Sequence, residues 1–173
     1  MHNITLREVS SEDFDVLYEN EADPEAIQMA AFTSRDMPQR AAFESRLARM
    51  KADPSVLLRA VLANGVLVGS VGSWDEEGER HVCYWISRDY WGQGVATGAL
   101  RLHIAELTSR PLHASIAFDN LRSRRVLEKC GFRAVGSIQS FARARGQEIE
   151  EVLFRLECGA PKNWEPVAPN SAV

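Results

Sequence analysis

The order in which strand-like and helix-like segments follow each other limits the possible folds of this chain more than any other feature. Segments with the patterning of strands are separated by segments whose apolar residues recur at helical spacing. Two strand segments flank Asn64-Gly65, a strong two-residue hairpin signal. The order predicts a mixed α/β fold. Its strand segments are 4–9, 55–63, 66–74, 80–87, 112–118, 133–144 and 148–157.

The predicted helices are marked by start and stop signals as well as by their period. Pro24 lies near the first turn of one helix, and Pro38 opens another. Gly131 ends a third helix, which begins near Asn120. All patterned segments fall within residues 1–158, which therefore predict a single domain. Residues 159–173 hold three prolines and no period, and we expect them to form a loose tail.

Charge and cysteine content exclude several classes of protein. The net charge of −4 argues against non-specific binding to nucleic acid, which needs a basic surface. No apolar run reaches the roughly 18 residues of a membrane span, and the N-terminus does not have the pattern of a signal peptide. Cys83, Cys130 and Cys158 form no CxxC pair. We therefore expect a cytoplasmic protein without a metal site, with Cys83 and Cys130 as small core residues.

The segment "YWGQGVATGAL", residues 90–100, places two glycines directly before a helix-forming run. The first N–H groups of a helix have no partners within it, and the helix dipole adds partial positive charge there. Glycines let a ligand approach the backbone closely, so this loop is typical of an anion site, most often for phosphate. The alternative is a strand-to-helix turn in which the glycines only allow the backbone to turn and no ligand binds.

Two well-known phosphate loops fit the segment poorly. A Walker loop needs a lysine after its second glycine, where this chain has Val95. A dinucleotide loop would be supported by Asp119 at the end of the next strand, as a ribose ligand. However, Thr97 stands at the position where the dinucleotide motif has its third glycine. The sequence also shows no second βαβ half. Dinucleotide binding stays an alternative.

A third pattern fits better, because two motifs occur in the right order. The segment from Trp91 to Ala96 resembles the glycine loop of the GNAT acyltransferase superfamily, and "DNLRSRRVLEKCGF" resembles its Asn-initiated helix ending in "EK-x-GF". The likeness is greatest to the branch similar to ribosomal-protein alanine N-acetyltransferases, and it covers residues 4–157. It implies a strongly twisted mixed sheet of about six to seven strands flanked by helices.

The resemblance implies that the chain binds acetyl-CoA. In this family the loop backbone holds the pyrophosphate, the preceding strand carries a bulge and splays from its neighbour, and pantetheine lies along its edge. A backbone N–H near Ile86 would polarise the thioester carbonyl. Asn120 would hydrogen-bond pantetheine, although Asn is also a good helix N-cap. The implied cofactor-binding residues are Ile86, Ser87, Arg88, Trp91, Gly92, Gln93, Gly94, Val95, Ala96, Asn120 and Ser123.

The resemblance also implies direct attack of an amine on the thioester, without a covalent enzyme intermediate. Glu79 and His81 are the candidate bases, in the strand before the loop. Many GNAT enzymes have a tyrosine acid seven residues after the Asn, but Leu127 stands there in this chain. Ser123, one turn earlier on the same helix face, is the candidate that protonates or orients the leaving thiolate.

The sequence leaves the acceptor and the assembly state open. The segment 13–51 would form the acceptor wall, and the acceptor is a small molecule or a protein N-terminus that presents an amine. A homodimer is compatible with the resemblance, whereas nucleic acid and membrane partners are not expected. The main alternative from another functional class is a module that binds CoA without turnover.

Overall fold

The computed structural model of the chain describes residues 2–33 and 39–157. Its five α-helices are α1 (Phe14–Glu21), α2 (Pro24–Ala30), α3 (Arg40–Ala52), α4 (Val95–Glu106) and α5 (Leu121–Lys129). The strands are β1 (Ile4–Glu8), β2 (Leu57–Ala63), β3 (Val66–Glu76), β4 (Glu79–Ile86), β5 (Leu112–Ala117), β6 (Arg133–Ala142) and β7 (Gln147–Leu156). Each strand segment predicted from the sequence is present, so the predicted element order is confirmed.

All seven strands belong to one sheet, in the order β1-β2-β3-β4-β5-β7-β6. Five of the six neighbouring pairs are antiparallel, and only β4 and β5 run parallel. The predicted mixed sheet is therefore confirmed. The β2–β3 hairpin turns at Asn64 and Gly65, which have φ angles of 52° and 81°, as a type I′ turn requires.

One face of the sheet, here called the α4 face, is covered by α4 and α5. Val82 and Ile86 of β4 pack there with Val95, Ala99 and Leu100 at the start of α4. These side chains are 5% exposed or less, and they form part of the largest apolar cluster in the described chain. Burial of this kind contributes about 25 cal/mol per Å². It fixes the first turn of α4 against the end of β4.

The opposite face, here called the α1 face, is covered in two separate places. Phe43 and Leu47 of α3 pack with Leu17 of α1 over β2. At the other end of the sheet, Ala31 after α2 packs with Ile149 of β7. The two clusters share no residue, and between them α1 packs over β3 and β4, where Nε1 of Trp85 donates to the Asn20 carbonyl at 2.7 Å.

Three expectations differ from the structure or lie outside it. Cys83 is exposed, so its prediction as a core residue is wrong, whereas Cys130 is buried as predicted. The pairing of β4 with β3 runs from Glu79 to Ile86 without a register shift, so the expected bulge is absent from this pair. Pro38 and the tail 159–173 lie outside the described residues.

Among residues 2–33 and 39–157, no helix combines the length and apolar character that membrane crossing needs.

Candidate active site

A cavity opens where the two parallel strands separate. β4 and β5 pair only at Arg80–Leu112 and His81–His113, near the start of each strand. Toward their carboxyl ends the strands diverge, and a cavity of about 270 Å³ occupies the region beyond. The expected splaying of β4 is thus present. The cavity is lined by Ala26, Met29, Ala30, Tyr84, Trp85, Ile86, Tyr90, Trp91, Gly92, Gly94, Val95, Ala96, Thr97, Asn120, Arg122, Ser123, Arg125, Val126 and Lys129.

The edge of β4 presents backbone groups to this cavity. The N–H of Ser87 donates to the carbonyl of Val68, 2.8 Å away, which continues the β3–β4 ladder. Hydrogen-bonded and non-hydrogen-bonded pairs alternate along an antiparallel ladder, so the N–H groups of Ile86 and Tyr84 point away from β3. They point to the side on which β5 has separated. A linear ligand could pair with this edge as an added strand does.

The loop after β4 brings a helix N-terminus to the cavity. Gly94 is the N-cap of α4 with φ 83°, a left-handed conformation that favours glycine. No side chain caps this helix end, and its first turn has no acidic residue. A Cβ at Gly92 or Gly94 would meet no other atom within 4 Å, so the loop backbone is accessible. The free N–H groups and the helix dipole make this end suitable for an anion.

The indole of Trp91 fixes the loop against the strand. Its Nε1 donates to the carbonyl of Ile86 at 2.7 Å, and the guanidinium of Arg122 lies 5.1 Å from the ring centroid. The indole therefore links β4 to the start of α5. The sequence motif gives no indication of this positional role for Trp91.

Asn120 and Ser123 occupy the first turn of α5. The Asn120 side chain accepts a hydrogen bond from the Ser123 N–H at 3.1 Å and donates to the Met29 carbonyl at 3.3 Å. It is 7% exposed. The N-cap interpretation of Asn120 is therefore confirmed, and its role toward a cofactor stays a prediction. Ser123 lines the cavity, as does the backbone edge at Ile86.

Three cationic side chains that the sequence analysis did not single out also line the cavity. Arg122, Arg125 and Lys129 follow each other along α5 at spacings of three and four residues, which places them on one side of the helix. This basic stripe was a readable signal in the sequence. It adds positive charge to the same opening as the N-terminus of α4.

Tyr84 is a further cavity residue that the sequence did not reveal. Its hydroxyl donates to the backbone carbonyl of Ser123 across the gap between β4 and α5, at 3.4 Å. Burial raises the pKa of Tyr84 well above its usual range, so the phenol is protonated at neutral pH. It can serve there as a hydrogen-bond or proton donor.

Three predicted cofactor residues lie beside the cavity without lining it. Ser87 uses its N–H within the sheet. Arg88 forms ion pairs with Asp23, the N-cap of α2, and with Glu25 of α2, at 3.1 and 2.8 Å, and thereby links the loop to that helix. Gln93 donates to the carbonyl of Asp89 at 2.6 Å and contacts His2. The remaining predicted cofactor residues, from Ile86 to Ser123, all line the cavity.

The two candidate bases lie at the other end of β4. The Glu79 carboxylate is 3.4 Å from Nδ1 of His113 and 3.8 Å from Nε2 of His81, next to the closed end of the β4–β5 pair. Neither Glu79 nor His81 lines the cavity, so the structure does not bring them together with Ser123. Their role as bases stays a prediction that this geometry does not support.

The rival ribose ligand is already engaged. The carboxylate of Asp119 accepts two hydrogen bonds from the guanidinium of Arg145, at 2.7 and 3.0 Å. A dinucleotide fold would also need a predominantly parallel sheet, and β4–β5 is the single parallel pair. In the described part of the chain, no His, Cys, Asp or Glu side chains form a group of three that could hold a metal ion.

Known proteins resemble this chain in sequence and in fold. The chain matches the family model described as "Acetyltransferase (GNAT) domain" over residues 3–133. It is 26% identical over 170 residues to an uncharacterised N-acetyltransferase, p20, of Bacillus licheniformis, covering 88% of this chain and 92% of that protein.

Two solved structures have the same fold. One is a spermidine N-acetyltransferase from Vibrio cholerae in complex with CoA and spermine, with a TM-score of 0.78 and 15% identity, covering 89% of this chain and 95% of that one. The other is RimJ of Mycobacterium smegmatis in complex with CoA-disulfide, with a TM-score of 0.74 and 18% identity, covering 90% and 82%. At these identities the likeness shows the fold alone.

Proposed function

The chain belongs to the GNAT family of N-acetyltransferases, and on this premise we propose that it transfers an acetyl group from acetyl-CoA to a primary amine. The observation that carries this proposal is the cavity between β4 and α5, which joins an exposed strand edge to the uncapped N-terminus of α4. A long ligand with an anionic group at one end matches both features.

The residues fit the parts of acetyl-CoA. The loop around Gly94 and the first turn of α4 would bind the pyrophosphate, because backbone N–H groups point outward there. Arg122, Arg125 and Lys129 would add charge-assisted contacts to phosphate oxygens. The edge of β4 at Ile86 would pair with pantetheine, and its N–H groups would face the thioester.

The reaction would be a direct transfer. The amine lone pair attacks the thioester carbonyl carbon, the C–N bond forms, and the C–S bond breaks as the thiolate leaves. The nitrogen then releases a proton, and the thiolate accepts one. Ser123 and Tyr84 carry hydroxyl groups on the α5 and β4 sides of the cavity, so we assign the protonation or orientation of the thiolate to them.

The branch and the compartment are further parts of this proposal. The loop "WGQG" and the helix ending in "EKCGF" support the branch similar to ribosomal-protein alanine N-acetyltransferases. An acceptor α-amine, with a pKa near 8, would need little help from a base at neutral pH. Cys83 and Cys130 are free thiols, which supports a reducing, cytoplasmic location.

Thermal shift and acyl transfer test the proposal in two steps. Acetyl-CoA should raise the melting temperature by roughly 5–10 °C at about 100 times its Kd, because a ligand that binds only the folded state stabilises it. NAD and ATP should not. A shift with NAD and none with acetyl-CoA would support the dinucleotide alternative instead. Binding of acetyl-CoA with no transfer to any primary amine of a broad panel would leave a CoA-binding module.

A further inference from the structure

Exposed apolar side chains are concentrated at one edge of the sheet. In the part of the chain that the structure describes, six large apolar side chains are exposed. Val135, Ile138 and Phe141 belong to β6, where they are 56, 50 and 58% exposed. Phe118 and Leu121, at the end of β5 and the start of α5, are two more. Such a concentration is typical of an interaction surface, and these five residues are here called the β6 surface.

β6 is also an open edge of the sheet. It is one of the two edge strands, and among the described residues it pairs with β7 alone. Proteins usually block such edges with charged residues, proline or a short strand. The other edge strand, β1, has five residues, which include Arg7 and Glu8. β6 has ten, and residues 134–142 contain neither a charge nor a proline, so this edge is open to strand pairing.

The register places apolar side chains of β6 on both faces of the sheet. Ile138 lies on the α1 face, because Ala142, four residues on, belongs to the cluster after α2. Phe141 lies on the α4 face, because Ser137, four residues before it, is opposite Val152 of the α4-face cluster. A single extended peptide could pair with the edge, but it would not cover both faces. A folded partner can cover the edge and both faces together.

A second copy of this chain is such a partner. Two β6 strands related by a two-fold axis pair antiparallel, so each copy offers the other the same edge and the same side chains. The uncharged stretch 134–142 lets two copies meet although each has a net charge of −4. Glu148 and Glu150 on β7 would be three strand spacings, about 14 Å, from the partner's β7, farther than the Debye length of about 8 Å.

The size of a stable interface indicates which further residues take part. Such interfaces bury about 800 Å² and roughly 20–30 residues on each partner, and β6 offers only ten residues. Phe118 donates its N–H to the carbonyl of Glu150 at 3.0 Å, and Glu150 is opposite Gln139 of β6. It therefore lies about two strand spacings, roughly 10 Å, from the edge. The remaining area would come from Phe118, Leu121 and their surroundings.

We propose that this chain forms a two-fold symmetric dimer through the β6 surface. The two β6 strands pair antiparallel and join the two sheets into one, and the five apolar side chains of the β6 surface become buried. This interaction is separate from the acetyl transfer proposed above, since it requires neither acetyl-CoA nor an acceptor. It therefore stands or fails independently of that activity.

Light scattering and sedimentation equilibrium of the full chain at micromolar concentration test the proposal. We expect twice the mass of one chain. Ile138→Lys and Phe141→Lys each change one face of β6, and symmetry brings both copies of the new charge to the interface. The dimer Kd should therefore rise roughly 100-fold or more. Val66→Lys is the matched control, because Val66 is 55% exposed at the start of β3, away from β6, and this variant should stay dimeric.

The melting temperature separates loss of the dimer from loss of the fold. In the wild type it should rise with protein concentration, because association stabilises the folded state by mass action. In both β6 variants the unfolding should stay cooperative and lose this dependence. A monomeric wild type at every concentration would overturn the proposal, and so would a dimer that both variants leave unchanged.

Hydrogen exchange then shows what occupies the edge if the wild type is monomeric. Slow exchange of the outward-facing β6 amides in a monomer would assign the edge to the chain's own residues 158–173. Fast exchange would leave the edge free. Either result contradicts the dimer, which requires these amides to be protected by the second copy and released in Ile138→Lys.

Discussion

His81 on β4 lies directly opposite His113 on β5, with ring centroids 5.5 Å apart, and the two strands separate beyond this pair. The cavity begins on the open side of this junction, and Glu79 lies on its closed side. The junction thus separates the residues that would bind the cofactor from those that the sequence suggested as bases.

Gly94→Glu should abolish acetyl-CoA binding without unfolding the protein. The new side chain would extend into the open space before α4 and place a negative charge where phosphate binds. Opposing like charges cost several kcal/mol, so we expect Kd to rise more than about 100-fold by calorimetry. Gly65→Glu is the matched control, because Gly65 has a similar φ of 81° and equally open surroundings in the β2–β3 hairpin. Unchanged affinity in folded Gly94→Glu would disprove the phosphate site.

Ser123→Ala separates two roles of that hydroxyl. If Ser123 donates a proton to the thiolate, kcat should fall roughly tenfold to a hundredfold while the KM for acetyl-CoA is unchanged. If it only orients pantetheine, acetyl-CoA binding should weaken while kcat is preserved. Steady-state kinetics at saturating acceptor distinguish these results. Wild-type values of both kcat and the KM for acetyl-CoA would show that the Ser123 hydroxyl takes part in neither catalysis nor cofactor binding.

Tyr84→Phe tests the hydroxyl that bridges β4 and α5. The hydrogen bond to the Ser123 carbonyl is long, at 3.4 Å, so we expect little change in melting temperature. If the phenol donates to the leaving thiolate, kcat should fall about tenfold, and the loss should exceed that of the control Tyr18→Phe, which lies outside the cavity. Full activity in Tyr84→Phe would indicate that Ser123 or water, and not Tyr84, donates the proton to the leaving thiolate.

Buried His103 should make stability depend on pH. Burial, and next the charges of Arg59 and Arg80, lower its pKa from 6.5 to about 4. Its Nε2 is 3.0 Å from the Ser73 hydroxyl, which in turn accepts from Arg80. Between these pH values the unfolded chain binds the proton and the folded chain does not, so stability is lost as pH falls from about 6.5 toward 4. This group should make the protein roughly 2 kcal/mol less stable at pH 5 than at pH 7.5.

Urea denaturation at both pH values measures the effect of His103. In His103→Gln the difference in the free energy of unfolding between pH 5 and pH 7.5 should be smaller than in the wild type by roughly 2 kcal/mol. This holds whatever the absolute stability of the variant. Asp13, whose pKa is lowered by the hydrogen bond from Arg7, loses its stabilisation as pH falls below 3.8, outside this window. An equal pH dependence in wild type and variant would show that His103 does not titrate as described.

The sequence by itself determined the features that depend on a few neighbouring residues. Asn64-Gly65 adopts the positive φ angles of its hairpin, Gly94 begins α4 in the left-handed conformation, and Asn120 caps α5. Local backbone preferences decide such positions, and the same short motifs carried the likeness to the family. The basic stripe Arg122, Arg125 and Lys129 was equally readable, because it follows from helical spacing alone.

The tertiary structure alone decided where the strands part and which side chains meet there. The register of β4 with β5 places His81 and Glu79 at the closed end and Tyr84 at the cavity. Strand pairing joins residues that are distant in sequence, so no local pattern specifies it. Cys83 shows the same limit, since its place within a strand suggested the core but its side chain is exposed in the folded chain. Whether a strand residue is buried depends on which helix covers it, and that is a property of the assembled fold.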